Sequence, residues 1–155
     1  MDTNQTVITL ERPDTADARV LIAELEAELR PHYPPKSQHG YSVQKLIDQG
    51  VSFFVTRHDG APAGCGGIQL FGTEYGELKR MYVRPQFRGL GLGRLMLSRL
   101  EEYAREHNIG LVRLETGIHQ EAAIRMYERW GYARIPPFPP YFDDPVSWCY
   151  ERRIE

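Results

Sequence analysis

Three glycines, at positions 89, 91 and 93, lie between two arginines in the run Arg84-Pro85-Gln86-Phe87-Arg88-Gly89-Leu90-Gly91-Leu92-Gly93-Arg94. Glycine lets a backbone come close to a ligand and adopt left-handed dihedrals, so such a turn can aim several N–H groups into one concavity. A helix starting there adds its free first amides and the positive end of its dipole, and the resulting nest suits a diphosphate. Arg84, Arg88 and Arg94 place further positive charge around it. The spacing excludes two familiar phosphate loops. A P-loop closes on Gly-Lys-Ser or Gly-Lys-Thr, where this chain has Gly93-Arg94-Leu95. The dinucleotide fingerprint needs a third glycine three residues after the second, where Arg94 follows Gly91 and Met96 follows Gly93. A plain strand-to-helix turn and a nucleotide module using the same nest are the alternatives.

The elements that must hold this turn follow from periodicity. Residues 77–83 read as the strand before it; Leu92, Met96, Leu100 and Tyr103 then recur at helical spacing to about His107. Upstream, residues 7–11 read as a first strand, and Asp14 with Asp17 as a capping pair for a helix through about Arg30. Ala18, Leu21, Ile22, Leu25 and Leu29 form the buried stripe of that helix, which Pro31 and the prolines at 34 and 35 end. A loop rich in aromatics (His32, Tyr33, Tyr41) precedes a short helix over 43–48. Residues 51–57 and 63–71 are strands around a His58-Asp59-Gly60 hairpin, and a turn over 72–76 adds the third antiparallel strand. Residues 111–116 form the next strand, Ala123, Ile124, Tyr127 and Trp130 share a helix face closed by Gly131, and residues 132–135 and 146–153 end as strands around a proline-rich loop. The expected class is α/β, or layered α+β: a mixed, mostly antiparallel central sheet of about six to seven strands flanked by about four helices.

The 155 residues suffice for one domain spanning 1–155. A net charge of -2 argues against general nucleic-acid binding, and no apolar run approaches the roughly 20 residues of a membrane span. The first ten residues lack the basic start and apolar stretch of a secretory signal, so a cytoplasmic location is expected. Cys65 and Cys149 sit in separate apolar runs without ligand-type neighbours, so two buried thiols and no metal site are expected.

Arg88-x-x-Gly91-x-Gly93 resembles the Arg/Gln-x-x-Gly-x-Gly/Ala signature of the GCN5-related N-acetyltransferase (GNAT) superfamily. The resemblance extends back through Glu77-Leu78-Lys79-Arg80-Met81-Tyr82-Val83 and forward through Gln120-x-x-Ala123-Ile124-x-x-Tyr127-Glu128-x-x-Gly131-Tyr132. It covers about residues 77–132; before that, only the element order matches.

The resemblance implies a GNAT-like acyl-CoA N-acyltransferase fold and an enzyme that transfers an acetyl group from acetyl-CoA to a primary amine by direct attack in a ternary complex. The acceptor implied is small, with a protein lysine or N-terminus, or a non-catalytic CoA-binding or regulatory domain, as alternatives. Met81, Tyr82 and Val83 would lie along the pantetheine arm on a strand that splays from its neighbour. The amides of Arg88, Gly89, Leu90, Gly91, Leu92, Gly93 and Arg94 would take the diphosphate. Gln120 stands where relatives commonly carry an asparagine that bonds the pantetheine, and Ala123 lies beside it. Tyr127 aligns with the tyrosine thought to protonate the CoA sulfur, and the Met81 amide would hold the carbonyl oxygen. Glu77 aligns with the glutamate of the histone-acetylating branch and is the first candidate base, Glu115 the second. For the acceptor the candidates are Tyr33, Glu115 and Tyr141, with His32, Tyr41 and the 138–144 loop; Glu74, Glu77, Asp143 and Asp144 would favour a cationic amine. His119 is expected to be a surface residue. A homodimer is the assembly that the resemblance suggests.

Overall fold

The computed structural model describes residues 5–155. In chain order the elements are β1 (Thr6–Leu10), α1 (Ala16–Leu29), α2 (Val43–Asp48), β2 (Ser52–His58), β3 (Ala61–Phe71), β4 (Tyr75–Val83), α3 (Leu92–Glu106), β5 (Leu111–Gly117), α4 (Glu121–Trp130), β6 (Ala133–Ile135) and β7 (Ser147–Arg153). The strands form one sheet in the order β1-β2-β3-β4-β5-β7-β6, antiparallel except for the parallel pair β4 and β5. The β2–β3 turn is the expected one: Asp59 and Gly60 both take positive φ, 51° and 84°.

Helices cover both faces of the sheet. Phe53, Val55 and Cys65 pack with α1 and α2, while Phe54, Ile68, Val112 and Leu114 pack with α3 and α4. Because neighbours along a strand point to opposite faces, the consecutive residues Phe53, Phe54 and Val55 are all fully buried. Each such side chain contributes about 1.5–3 kcal/mol. The cap of α1 is Thr15, whose hydroxyl accepts from the Ala18 amide at 3.4 Å. Asp14 and Asp17, the expected capping pair, are instead turned to Arg12 (2.8 Å) and Arg57 (2.9 Å).

Two irregularities in β4 shape the centre of the molecule. The first is its pairing with β5, which is confined to Gly76 with Val112 and Glu77 with Arg113. From Leu78 onward the strands part, and the edge of β4 that faces β5 has no strand partner. The second is a bulge: the β3 to β4 register shifts between Cys65 and Gly67, and Arg80 opposite holds a left-handed φ of 53°. Before the bulge Leu78 faces the α3 core; beyond it Met81 does, and Tyr82 packs towards α1.

Candidate active site

The wedge between β4 and β5 contains two cavities with a common wall. The larger, about 760 Å³, runs from Met81, Tyr82 and Val83 to the start of α3 and across to α4. The smaller, about 130 Å³, is lined by α1, the segment around residues 33–41, the β4 and β5 edges and Tyr141. Met81, Gln120, Ala123 and Tyr127 line both.

The floor of the larger cleft is the glycine-rich turn. Gly89 and Gly91 hold φ of 86° and 78°, and Gly91 caps α3 while bringing no side chain to its first amides. Those amides therefore stay free for an anion. A Cβ on Gly93 would meet the Met126 sulfur at 2.9 Å, so the start of α3 lies close against α4. Arg88, Gly89, Gly91, Leu92, Gly93 and Arg94 line the cleft. Leu90 is outside the lining and 54% exposed, which leaves its amide as the contact it can offer. Tyr82 likewise offers backbone, since its hydroxyl donates to Glu24 at 3.1 Å and burial raises its pKa to about 12. Of the three arginines expected around the turn, Arg84 is outside the cleft: it holds Glu24 at 2.6 Å across β4 and α1. Arg88 donates to the Val83 carbonyl at 2.9 Å and reaches Glu28 at 3.1 Å.

Tyr127, 4% exposed, stands at the junction. Burial, with Glu115 nearby, raises its phenol pKa, so it keeps its proton at neutral pH. Glu115 lines the smaller cavity, where Ser147 donates to it at 2.5 Å. Burial pushes its pKa up to about 7, against the opposing Ser147 bond. Glu77 is 1% exposed and outside both linings; it accepts from Lys79 at 2.8 Å and from the Tyr141 hydroxyl. Tyr33 and Tyr141 line the smaller cavity, and the His119 amide donates to the Tyr33 hydroxyl at 3.0 Å. His119 also lines the larger cleft and lies 5.5 Å, ring to ring, from His32.

The acidic surround expected for a cationic amine does not form. Asp144 accepts from Ser37 at 2.6 Å and from the Val146 amide, while Glu74 and Asp143 are exposed outside the cavity. Glu26, Arg30, Lys79 and Arg80 are the charged residues of the wall that sequence reading passes over. Strand alternation carried a signal for Lys79, because Glu77 and Lys79 two apart must share a face. Among the described residues no group of three or more side chains suited to a metal occurs.

Both the sequence and the fold have counterparts among known proteins. The profile of the Acetyltransferase (GNAT) family matches residues 19–132. The chain belongs to that family. As a GNAT protein it is an acyltransferase, and its relatives agree. IAA acetyltransferase of Azospirillum brasilense is 41% identical over 136 residues, covering 86% of this chain and 88% of that protein. A solved Klebsiella pneumoniae protein assigned to the acyl-CoA N-acyltransferases superposes with a TM-score of 0.82 at 37% identity, covering 97% of this chain and 98% of that one. PaiA N-acetyltransferase of Thermoplasma acidophilum, solved in complex with coenzyme A, shares the fold (TM-score 0.73, 16% identity, 95% and 99% covered). No described helix is long and apolar enough to cross a membrane.

Proposed function

We propose that this GNAT enzyme transfers an acetyl group from acetyl-CoA to the primary amine of a small acceptor by direct attack. The observation that carries this is the shared wall: a long cleft with an anion nest at one end meets a smaller cavity at Tyr127. The free amides of residues 89–94, with Arg88 and Arg94, suit the diphosphate of coenzyme A. The unpaired edge of β4 at Met81 and Val83 suits the amide-bearing pantetheine arm as a further strand would, with Gln120 opposite. Acetyl-CoA supplies an activated thioester. The Met81 amide is placed to hold the carbonyl oxygen.

Glu115 takes the proton that the amine loses, the new C–N bond replaces C–S, and the Tyr127 hydroxyl delivers its proton to the departing sulfur. Glu115 is preferred to Glu77 as base because it faces the cavity and titrates near neutrality, whereas Glu77 is held by Lys79 and Tyr141. Direct attack is favoured by the cysteines. Cys65 is buried against the Arg80 carbonyl, Cys149 is also buried, and neither lines a cavity. The small volume of this second cavity, about 130 Å³, favours a small acceptor over a polypeptide, and the relative named IAA acetyltransferase points the same way.

Thiol release from acetyl-CoA over a panel of small amines, a lysine peptide and a peptide N-terminus tests this reading. Turnover with small amines is expected; turnover confined to peptides, or tight CoA binding without release from any amine, would refute it.

A further inference from the structure

The acceptor cavity holds an arrangement that a regular strand forbids. Lys79 and Arg80 are adjacent on β4, so alternation should send them to opposite faces. The bulge reverses this, and both meet the same residue on the α1 side. The Lys79 ammonium sits 4.0 Å from the Tyr41 ring centroid, while Arg80 Nε donates to the Tyr41 carbonyl at 2.8 Å. Each is only 7% exposed, and both line the cavity. Two neighbouring cations on one buried face repel each other and lose solvation, and a left-handed backbone at a non-glycine residue adds about 1–2 kcal/mol. The fold accepts both costs at the wall where the acceptor would lie.

The partners present leave one donor of the guanidinium unused. Glu77 holds Lys79, and Glu26 pairs with Arg80 through Nη2. Arg80 Nη1 has no hydrogen-bond partner among the described residues, and desolvation leaves the guanidinium with a pKa of about 10, still charged at neutral pH. Its position is enforced: a Cβ on Gly40 would collide with the guanidinium, so the loop backbone packs directly against it. Arg30 adds another cation at the mouth, 69% exposed. Among the lining residues three cations, Arg30, Lys79 and Arg80, stand against two carboxylates, Glu26 and Glu115. The rest of its wall is apolar or aromatic, including Leu25, Leu29, Tyr33 and Tyr141.

We infer that the acceptor is an amino acid, or a close analogue, whose carboxylate is bound by Arg80 and Lys79 while its amine faces Glu115 and Tyr127. The inference rests on the acetyl transfer proposed above and names its substrate class. The guanidinium offers a fixed fork for a planar carboxylate, the ammonium supplies a point charge beside it, and the leucines and tyrosines receive an apolar side chain. Lys79 and Arg80 thus set specificity and leave the chemical step to other residues.

The test compares ligands that differ only in the anionic group. L-phenylalanine, L-phenylalaninamide and 2-phenylethylamine, with the leucine and tryptophan sets made the same way, are titrated calorimetrically into the full chain saturated with coenzyme A. In each set the carboxylate form is expected to bind about ten-fold or more tightly than its amide. The paired variant E26Q/R80Q, which removes both charges together, is expected to abolish that preference while coenzyme A affinity stays unchanged. Equal or tighter binding of the amides, or no binding of any carboxylate form, overturns the inference and leaves acetyl transfer standing. Failure of coenzyme A to bind in the saturation step overturns the transfer reading itself. Should the paired variant not fold, the wild-type contrast decides alone.

Discussion

Replacing Glu115 by glutamine should move stability and activity in opposite directions. The side chain is enclosed beside Ser147, and burial raises its pKa from the usual 4.5 to about 7. Below about pH 4 both folded and unfolded chains hold this proton, so the group leaves stability unchanged with pH. Between the two pKa values the unfolded chain releases the proton and the folded chain keeps it, so stability falls as pH rises; above about pH 7 the full penalty of a buried carboxylate is present. A rise from 4.5 to about 7 corresponds to about 3.5 kcal/mol. The amide does not titrate and its oxygen can still accept from Ser147. Glu115→Gln should therefore melt close to wild type near pH 4.5 and about 7–14 °C above it near pH 8.5. Over the same range wild-type kcat/KM should rise through about pH 7, while the variant loses about 10²-fold or more and loses that limb of the profile. Differential scanning calorimetry and thiol-release kinetics at matched pH provide both readings. A melting difference that stays constant with pH, or an unchanged activity profile, refutes the reasoning.

Tyr127→Phe removes the buried phenol at the junction while keeping the ring packed against Tyr132; kcat should fall about 10²-fold with coenzyme A affinity unchanged, by thiol release and calorimetry. Glu101 is 1% exposed and accepts from Trp130 Nε1 at 2.9 Å, the Tyr132 hydroxyl at 2.7 Å and Arg152 at 2.6 Å. It ties α3 to the end of α4 and to β7, so Glu101→Ala should cost about 3–5 kcal/mol in urea unfolding.

The sheet and its helices are largely legible because each signal is local: alternation in β2 and β3, the Asp59-Gly60 turn, the helical stripes, and Gly131, which caps α4 at φ 108° as expected. The glycine nest is legible for the same reason. What escapes depends on distant partners. Nothing near Asp17 reveals that Arg57, forty residues on, will claim it and leave the cap to Thr15. Arg84 looks free for phosphate until Glu24, sixty residues earlier, is brought against it by α1. Glu77 is likewise occupied by Tyr141 from a loop 64 residues on. The bulge at Arg80 has no sequence signal at all, since an arginine takes the left-handed conformation that a glycine would advertise. That hidden turn is also what brings both Lys79 and Arg80 to the wall of the smaller cavity.

Titration calorimetry of coenzyme A into the full chain, with ATP and NAD as comparison ligands, probes the glycine nest most directly. One saturable site per chain is expected, preferring coenzyme A to either nucleotide. Gly91→Val, which forces a branched side chain into a left-handed position at φ 78°, should weaken that site about ten-fold or more. No heat of binding, a preference for ATP or NAD, or an affinity indifferent to Gly91→Val would contradict it.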